Sequence, residues 1–147
     1  MTVTALPEVL QVVTFRLGQD EYGVDILKVQ EINRMTEITS MPKAAFSVEG
    51  VINLRGKVIP VVNLRKRFGL ESKEIDSQSR IIVVDVGSTV GLIVDSVSEV
   101  LRIPSDLIEP PPPITGSRGS EYIMGIGKLQ DRLIILLDID KLLGEGV

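Results

Sequence analysis

The sequence contains no histidine and no cysteine. Without histidine it lacks the commonest general base and the commonest metal ligand at once. Without cysteine, disulfides and thiolate metal sites are excluded. Aromatic residues make up only 3% of the chain, and tryptophan is absent. The core must therefore come mainly from valine, isoleucine and leucine, and β-branched residues favour strands. An excess of positive charge is missing too: 16 basic residues face 20 acidic ones, a formal net charge of −4. Nucleic-acid binders need a dense basic surface to displace counterions, so that class is disfavoured. No run approaches the ~18 apolar residues of a membrane helix. Met1 to Gln11 has neither the basic start nor the apolar stretch of a signal peptide. The expected location is the cytoplasm.

What is present is a chain of 147 residues, 44% apolar, enough for one compact domain or two small lobes. It repeats itself. Gly23 is followed by Val29, Glu31 and Ile32, and Gly91 by Val97, Glu99 and Val100 at the same spacings. Further on, GVINLRGKVIPVVNLRKRFG, from Gly50 to Gly69, matches GIGKLQDRLIILLDIDKLLG, from Gly125 to Gly144. The offset is 68 residues for the first pair (23 to 91) and 75 for the second (50 to 125). The extra length falls around Pro110 to Gly119, rich in proline and glycine. Two correspondences in the same order indicate an imperfect duplication.

Each half reads as five strands. In the first, Val13, Phe15 and Leu17 alternate with polar residues, the period of a half-buried strand. Gly18-Gln19-Asp20 is a turn, and Tyr22–Ile26 returns. Val29–Arg34 also fits a helical period through Ile26, Val29, Gln30 and Asn33. A strand is preferred because its counterpart, Val97–Ile103, is richer in β-branched residues. Val51–Leu54 and Val58–Val62 form a hairpin across Arg55-Gly56-Lys57, and Leu64–Phe68 is a short helix stopped by Gly69. The second half supplies Ile81–Val86, Val90–Val94, Val97–Ile103, Tyr122–Leu129 and Leu133–Asp138. Two five-stranded halves suggest two small β-barrels, since closure removes exposed edges. The unbroken apolar runs Ile81–Val84 and Ile134–Leu137 imply cover on both faces, hence a third core between the lobes. The polar stretch Glu71–Ser79 reads as the linker.

Candidate chemistry is thin. No nucleophile elbow or phosphate-binding loop is present, and Gly125-Ile126-Gly127 lacks the following helix that such a loop needs. Asp138, Asp140 and Glu145 could suggest a metal; the favoured reading is a solvated helix start, where acidic residues suit the dipole. Glu109-Pro110-Pro111-Pro112-Pro113 reads as a stiff connector or as an extended proline ligand, the connector being preferred. The duplication offers an internal control. Asn53 corresponds to Lys128, and Arg55-Gly56 to Gln130-Asp131, so the apolar frame is kept while the hairpin tip diverges. A specific contact role for Asn53, Arg55 and Gly56 explains this, as does drift of a solvated turn. Arginine suits contact surfaces, with five donors in a planar fork. Glu31 would add acceptor oxygens, or is an ordinary strand position that Glu99 repeats.

The stretches EYGVDILKVQEI (21–32) and VEGVINLRGKVIPVVNLRKRFG (48–69) resemble the CheW chemotaxis coupling family. GLIVDSVSEVL (91–101) and EYIMGIGKLQDRLIILLDIDKLL (121–143) are similar too, so the likeness runs from about Leu10 to Gly146. It implies an all-β fold: two SH3-like five-stranded barrel lobes from an internal duplication, packed on a shared core, with short helices. The expected division is one domain over 10–147, with a first lobe over 10–78, a second over 79–147, and strand exchange at the N-terminus left open. The resemblance implies a non-enzymatic adaptor, with no cofactor and no metal. Its partners would be the cytoplasmic tips of methyl-accepting chemoreceptors and the regulatory domain of a CheA-type histidine kinase. Recruitment to the inner face of the membrane would then run through receptor arrays, without nucleic acid or direct membrane insertion. Val29, Glu31, Gly50, Arg55 and Gly56 match positions of partner contact in the family, with Ile32 and Leu54 as apolar neighbours. Ala44 and Ala45 stand in a stretch often richer in proline, which bears on loop shape. No receiver domain follows, so the receiver-bearing relative is not expected. The alternatives are a CheW-like scaffold of a non-chemotactic pathway (motility or development), a small SH3-like nucleic-acid binder and, more remotely, a carboxylate hydrolase.

Overall fold

The computed structural model describes residues 7–111 and 122–144. The first half runs through β1 (Val9–Leu17), β2 (Asp20–Asp25), a 3-10 turn at Ile26–Lys28, β3 (Val29–Arg34), β4 (Val48–Leu54), β5 (Lys57–Asn63) and α1 (Leu64–Arg67). The second follows with β6 (Arg80–Asp85), β7 (Thr89–Val94), β8 (Ser96–Pro104), β9 (Ile108–Glu109), β10 (Ile123–Leu129), β11 (Arg132–Leu137) and α2 (Ile139–Leu143). The ambiguous segment at 29–34 is a strand, with alternating half-buried and exposed positions. Both helices start on a side-chain cap one residue before the helix. Asn63 accepts from the Lys66 amide, and Asp138 from the Lys141 amide. Asp138 is thus a helix cap, while Glu145 and the connector from Pro112 onward lie outside the described residues. Among the described residues no helix is long and apolar enough to cross a membrane.

The strands form two sheets, ordered β3-β6-β7-β5-β4 and β8-β1-β2-β11-β10-β9. Each sheet mixes the two halves. Hairpin β1–β2 lies with the later strands of the second half, and hairpin β6–β7 with the later strands of the first. The duplication holds in register as well as in sequence. The one parallel pairing in each sheet sets Val61 against Gly91 and Leu136 against Gly23, positions related by the same two offsets. The bulges repeat too: one lies between Val48 and Gly50, its counterpart between Ile123 and Gly125. Strand β9, against Ile126 and Gly127, adds a sixth strand to one sheet where the sequence pattern suggested five. In the other sheet the same edge takes only an isolated bridge between Thr39 and Val51.

The described residues form three apolar clusters. Ile52, Ile59, Val61, Ile81, Val83 and Ile93 form the private core of one sheet. Leu10, Val12, Ile103, Ile134 and Leu136 form that of the other. Between the sheets lies a larger shared core, including Phe15, Tyr22, Val62, Leu64, Ile82, Val84, Leu92 and Leu137. The unbroken runs behave as their pattern requires. Ile81 and Val83 enter a private core while Ile82 and Val84 enter the shared one, and all four are fully buried.

Polar ties pin the crossovers between sheets. Asp95, between β7 and β8, pairs with Arg65 on α1 at 2.6 Å. Lys28, between β2 and β3, pairs with Asp140 on α2 at 2.8 Å. Positions 65 and 140 are related by the 75-residue offset, and 28 and 95 lie within one residue of the 68-residue offset. The duplication thus repeats the tie with its charges reversed. Arg67 adds a third tie, donating to the Tyr122 hydroxyl at 2.8 Å and to the Leu142 carbonyl at 3.2 Å.

Candidate functional site

Among the described residues strand β3 is an edge strand, hydrogen-bonded only to β6. Its bulge sets Val29 opposite Val84 and Glu31 opposite Val83, skipping Gln30. The skipped residue puts Val29 and Ile32 on the face of the shared core and turns Glu31 to the opposite face. Val29 packs against that core, whereas Ile32 is 41% exposed at the open edge. The second half repeats the device, since Thr14 pairs with Glu99 and Phe15 with Val97, skipping Ser98.

Across the same sheet, the β4–β5 hairpin turns at Arg55-Gly56, both with positive φ (51° and 87°). Such a turn matches the right-handed twist of its strands. Asn53 stabilises it: its Oδ1 accepts from the Gly56 amide at 2.8 Å. We expect Asn53→Ala to cost about 1 kcal/mol, the net worth of one such hydrogen bond. The midpoint of urea unfolding reads this, and an unchanged midpoint would remove the capping role.

The turn aims Arg55 at β3. Its Nη1 donates to Glu31 Oε1 at 3.0 Å, and its Nη2 to Oε2, a bidentate pair. The two groups come from opposite ends of the strand order, so the sheet curls far enough for one side-chain pair to span its two unpaired edges. The Arg55 side chain is 71% exposed. The guanidinium hydrogen bond holds the Glu31 carboxyl below its usual range, and the carboxylate in turn raises Arg55. Both shifts lead away from neutral pH, so neither group is poised for acid–base catalysis there.

The residues singled out in the sequence therefore separate by position. Glu31, Asn53, Arg55 and Gly56 gather at the hairpin tip. Leu54, beside them, packs half-buried on the private core. Val29 and Ile32 line the other face of the edge strand. Gly50 is buried in the β4 bulge. A contact was hidden in the diverged second tip. Arg132 donates to buried Glu21 at 2.7 Å and pairs with Glu99 at 3.1 Å. A guanidinium thus grips the repeated glutamate in both lobes, from a position two residues later in the second tip. The repetition of Glu31 as Glu99 was the available signal. The lobes also frame a cleft of about 370 Å³, bordered by Val48, Pro60 and Val62 on one side and by Leu143 of α2 on the other. This cleft opens along α2 and does not include Arg55.

Two doubled sheets on a shared core, with an edge strand and a guanidinium–carboxylate tip beside it, make up the frame of the molecule. The family model described as CheW-like domain matches residues 11–146. The chain belongs to that family, whose members are chemotaxis scaffolds and not enzymes. It is 40% identical over 132 residues to a chemotaxis protein CheW of Klebsiella aerogenes, covering 89% of this chain and 80% of that protein. It is 32% identical over 133 residues to Protein FrzA of Myxococcus xanthus, covering 88% and 82%. The crystal structure of the scaffolding protein TtCheW from Thermoanaerobacter tengcongensis superposes with a TM-score of 0.84 at 40% identity, covering 94% of this chain and 97% of that one.

Proposed function

We propose that this chain couples chemoreceptor signalling tips to the regulatory domain of a CheA-type histidine kinase by bivalent docking in a cytoplasmic array at the inner face of the membrane. The observation that carries the reading is the exposed, bidentate Arg55–Glu31 pair beside the open β3 edge, in a chain whose family match spans residues 11–146. A preformed ion pair orients a guanidinium for a partner carboxylate at little ordering cost. Leu54 supplies apolar surface beside it, Ile32 and Val29 supply apolar surface on the other face of β3, and Gly50, Asn53 and Gly56 hold the backbone that presents it. Holding receptor and kinase on one body raises their effective concentration and lets receptor state bias the kinase.

Arg55→Asp tests this. It places two carboxylates together at the tip, leaves every core cluster untouched and should keep the circular dichroism spectrum. In pull-downs with a receptor cytoplasmic fragment and with the kinase, at least one partner should be lost. Unchanged capture of both would overturn the assignment of this surface. One relative, Protein FrzA, does not carry chemotaxis in its name, which leaves a second reading, a CheW-like scaffold serving a receptor–kinase pathway other than chemotaxis. Co-purification with the native kinase decides between the two.

A further inference from the structure

The duplication provides an internal standard for the cleft along α2. Applying the two offsets to its walls, Val90 corresponds to Tyr22 and Leu143 to Phe68. Cross-strand neighbours correspond as well: Val84 faces Val90 as Phe15 faces Tyr22. On the sister side three rings fill the space between helix and sheet. Tyr22 and Phe68 stack with centroids 5.7 Å apart and planes 8° from parallel, and Phe15 stacks on Tyr22 at 5.7 Å. On the α2 side three aliphatic side chains stand in their place, and the cleft of about 370 Å³ opens there. The frame is the same on both sides: a short capped helix, a parallel strand pair and an ion pair at the crossover. The difference lies in the rings.

We infer that the cleft between α2 and β5–β7 receives an aromatic side chain, phenylalanine or tyrosine, from a protein partner, which completes the ring stack that the sister lobe builds from its own residues. Val48, Pro60, Val62, Val86, Val90 and Leu143 give the cleft apolar walls, while Ser88 and Asp140 add polar groups, Asp140 being paired with Lys28 at 2.8 Å. Aromatic anchors in such pockets dominate contact energies, through large buried area at small entropic cost. Lys28 leads directly into Val29, so the cleft adjoins the start of β3. This inference rests on the reading of the chain as a docking scaffold, and adds the side-chain class that one partner must present.

The test uses the full chain with methyl-labelled valine and leucine. N-acetyl-phenylalaninamide should shift the Val48, Val62, Val90 and Leu143 methyl resonances with a dissociation constant of about 1–10 mM, the scale for a lone anchor group. N-acetyl-leucinamide should shift them several-fold less. Leu143→Phe, which copies the sister lobe, should fold as the wild type does by circular dichroism and lose the shifts. In pull-downs Leu143→Phe should weaken capture of one wild-type partner about tenfold or more, as loss of an anchor does. Equal shifts from both amides, shifts surviving in Leu143→Phe, or unchanged capture by that variant would each overturn the inference. Arg55→Asp separates the two readings. It should bind the phenylalanine amide normally, so intact capture by Arg55→Asp alone counts against the tip and not against the cleft.

Discussion

Replacing Gly50 with alanine is expected to destabilise the protein by about 3 kcal/mol or more, the sum of a strained backbone and a clash that flexible side chains cannot relieve. A Cβ at Gly50 would lie 2.1 Å from the Thr39 carbonyl oxygen, and φ there is +150°. That carbonyl accepts from the Val51 amide at 2.9 Å, so the β3–β4 connection must detach or the bulge must flatten. Gly56 is the control. Its φ is +87°, but nothing lies within 4 Å of the added atom. Gly56→Ala should therefore cost only the left-handed penalty of about 1–2 kcal/mol. Urea unfolding of both variants checks the order, and equal losses would show that backbone conformation alone matters. The consequence for function is direct. Loss of partner binding at Gly50 reports on the strand bulge, whereas loss at Arg55 reports on the surface.

The second large effect is expected at Asp95. Its carboxylate accepts from Arg65 Nε at 2.8 Å and Nη2 at 2.6 Å, and from the Gly18 amide at 2.7 Å. Both side chains are only 15% exposed. Asp95→Asn leaves a mostly buried guanidinium facing a neutral amide, at a cost of about 2–4 kcal/mol, below the full penalty because some solvent reaches the pair. Replacing both partners with apolar residues, Asp95→Leu with Arg65→Met, should recover much of the loss. The pair also carries a pH signature. Burial alone pushes the Asp95 carboxyl up, but the Arg65 hydrogen bonds and the Gly18 amide outweigh it, and the pKa is held below its ordinary value. A depressed carboxyl contributes stability that is fully present above the unfolded pKa of about 3.9 and fades as pH falls through the folded value. The stability gap between wild type and Asp95→Asn should thus be constant at neutral pH and shrink below about pH 4. A gap that persists at lower pH would dismiss the ion pair as its source.

Strand positions were legible in the sequence because a buried sheet writes its period and its two-faced runs locally. The spacing of Val29, Glu31 and Ile32 even carried the bulge, since Val97, Glu99 and Val100 repeat it around a second skipped residue. Sheet membership was not legible. Nothing in the apolar pattern of β1 says that β8, rather than β3, lies beside it, because pairing depends on partners distant in the chain. The start of β1 at Val9 rather than Val13, and the two-residue β9, escaped for a similar reason, as both are held by pairing across the sheet. At the candidate site, divergence between the two halves is what marks out the tip residues. The Arg132–Glu99 contact was missed because its guanidinium sits at a shifted position, and alignment by offset compares like with unlike there. The reversed crossover pairs share that cause: Arg65 against Asp140 looks like a lost charge until Asp95 and Lys28 are seen beside them.

The mixed parentage of the sheets sets the order in which a nascent chain can mature on the ribosome. When residue 70 has been made, β3, β4 and β5 exist, but the strands that belong between β3 and β5 have not yet been synthesised. Hairpin β1–β2 likewise waits for β8 and β11. Neither lobe can complete its hydrogen bonding before its neighbour is under way, so both condense late and together. The exposed strands must meanwhile be kept from foreign pairing.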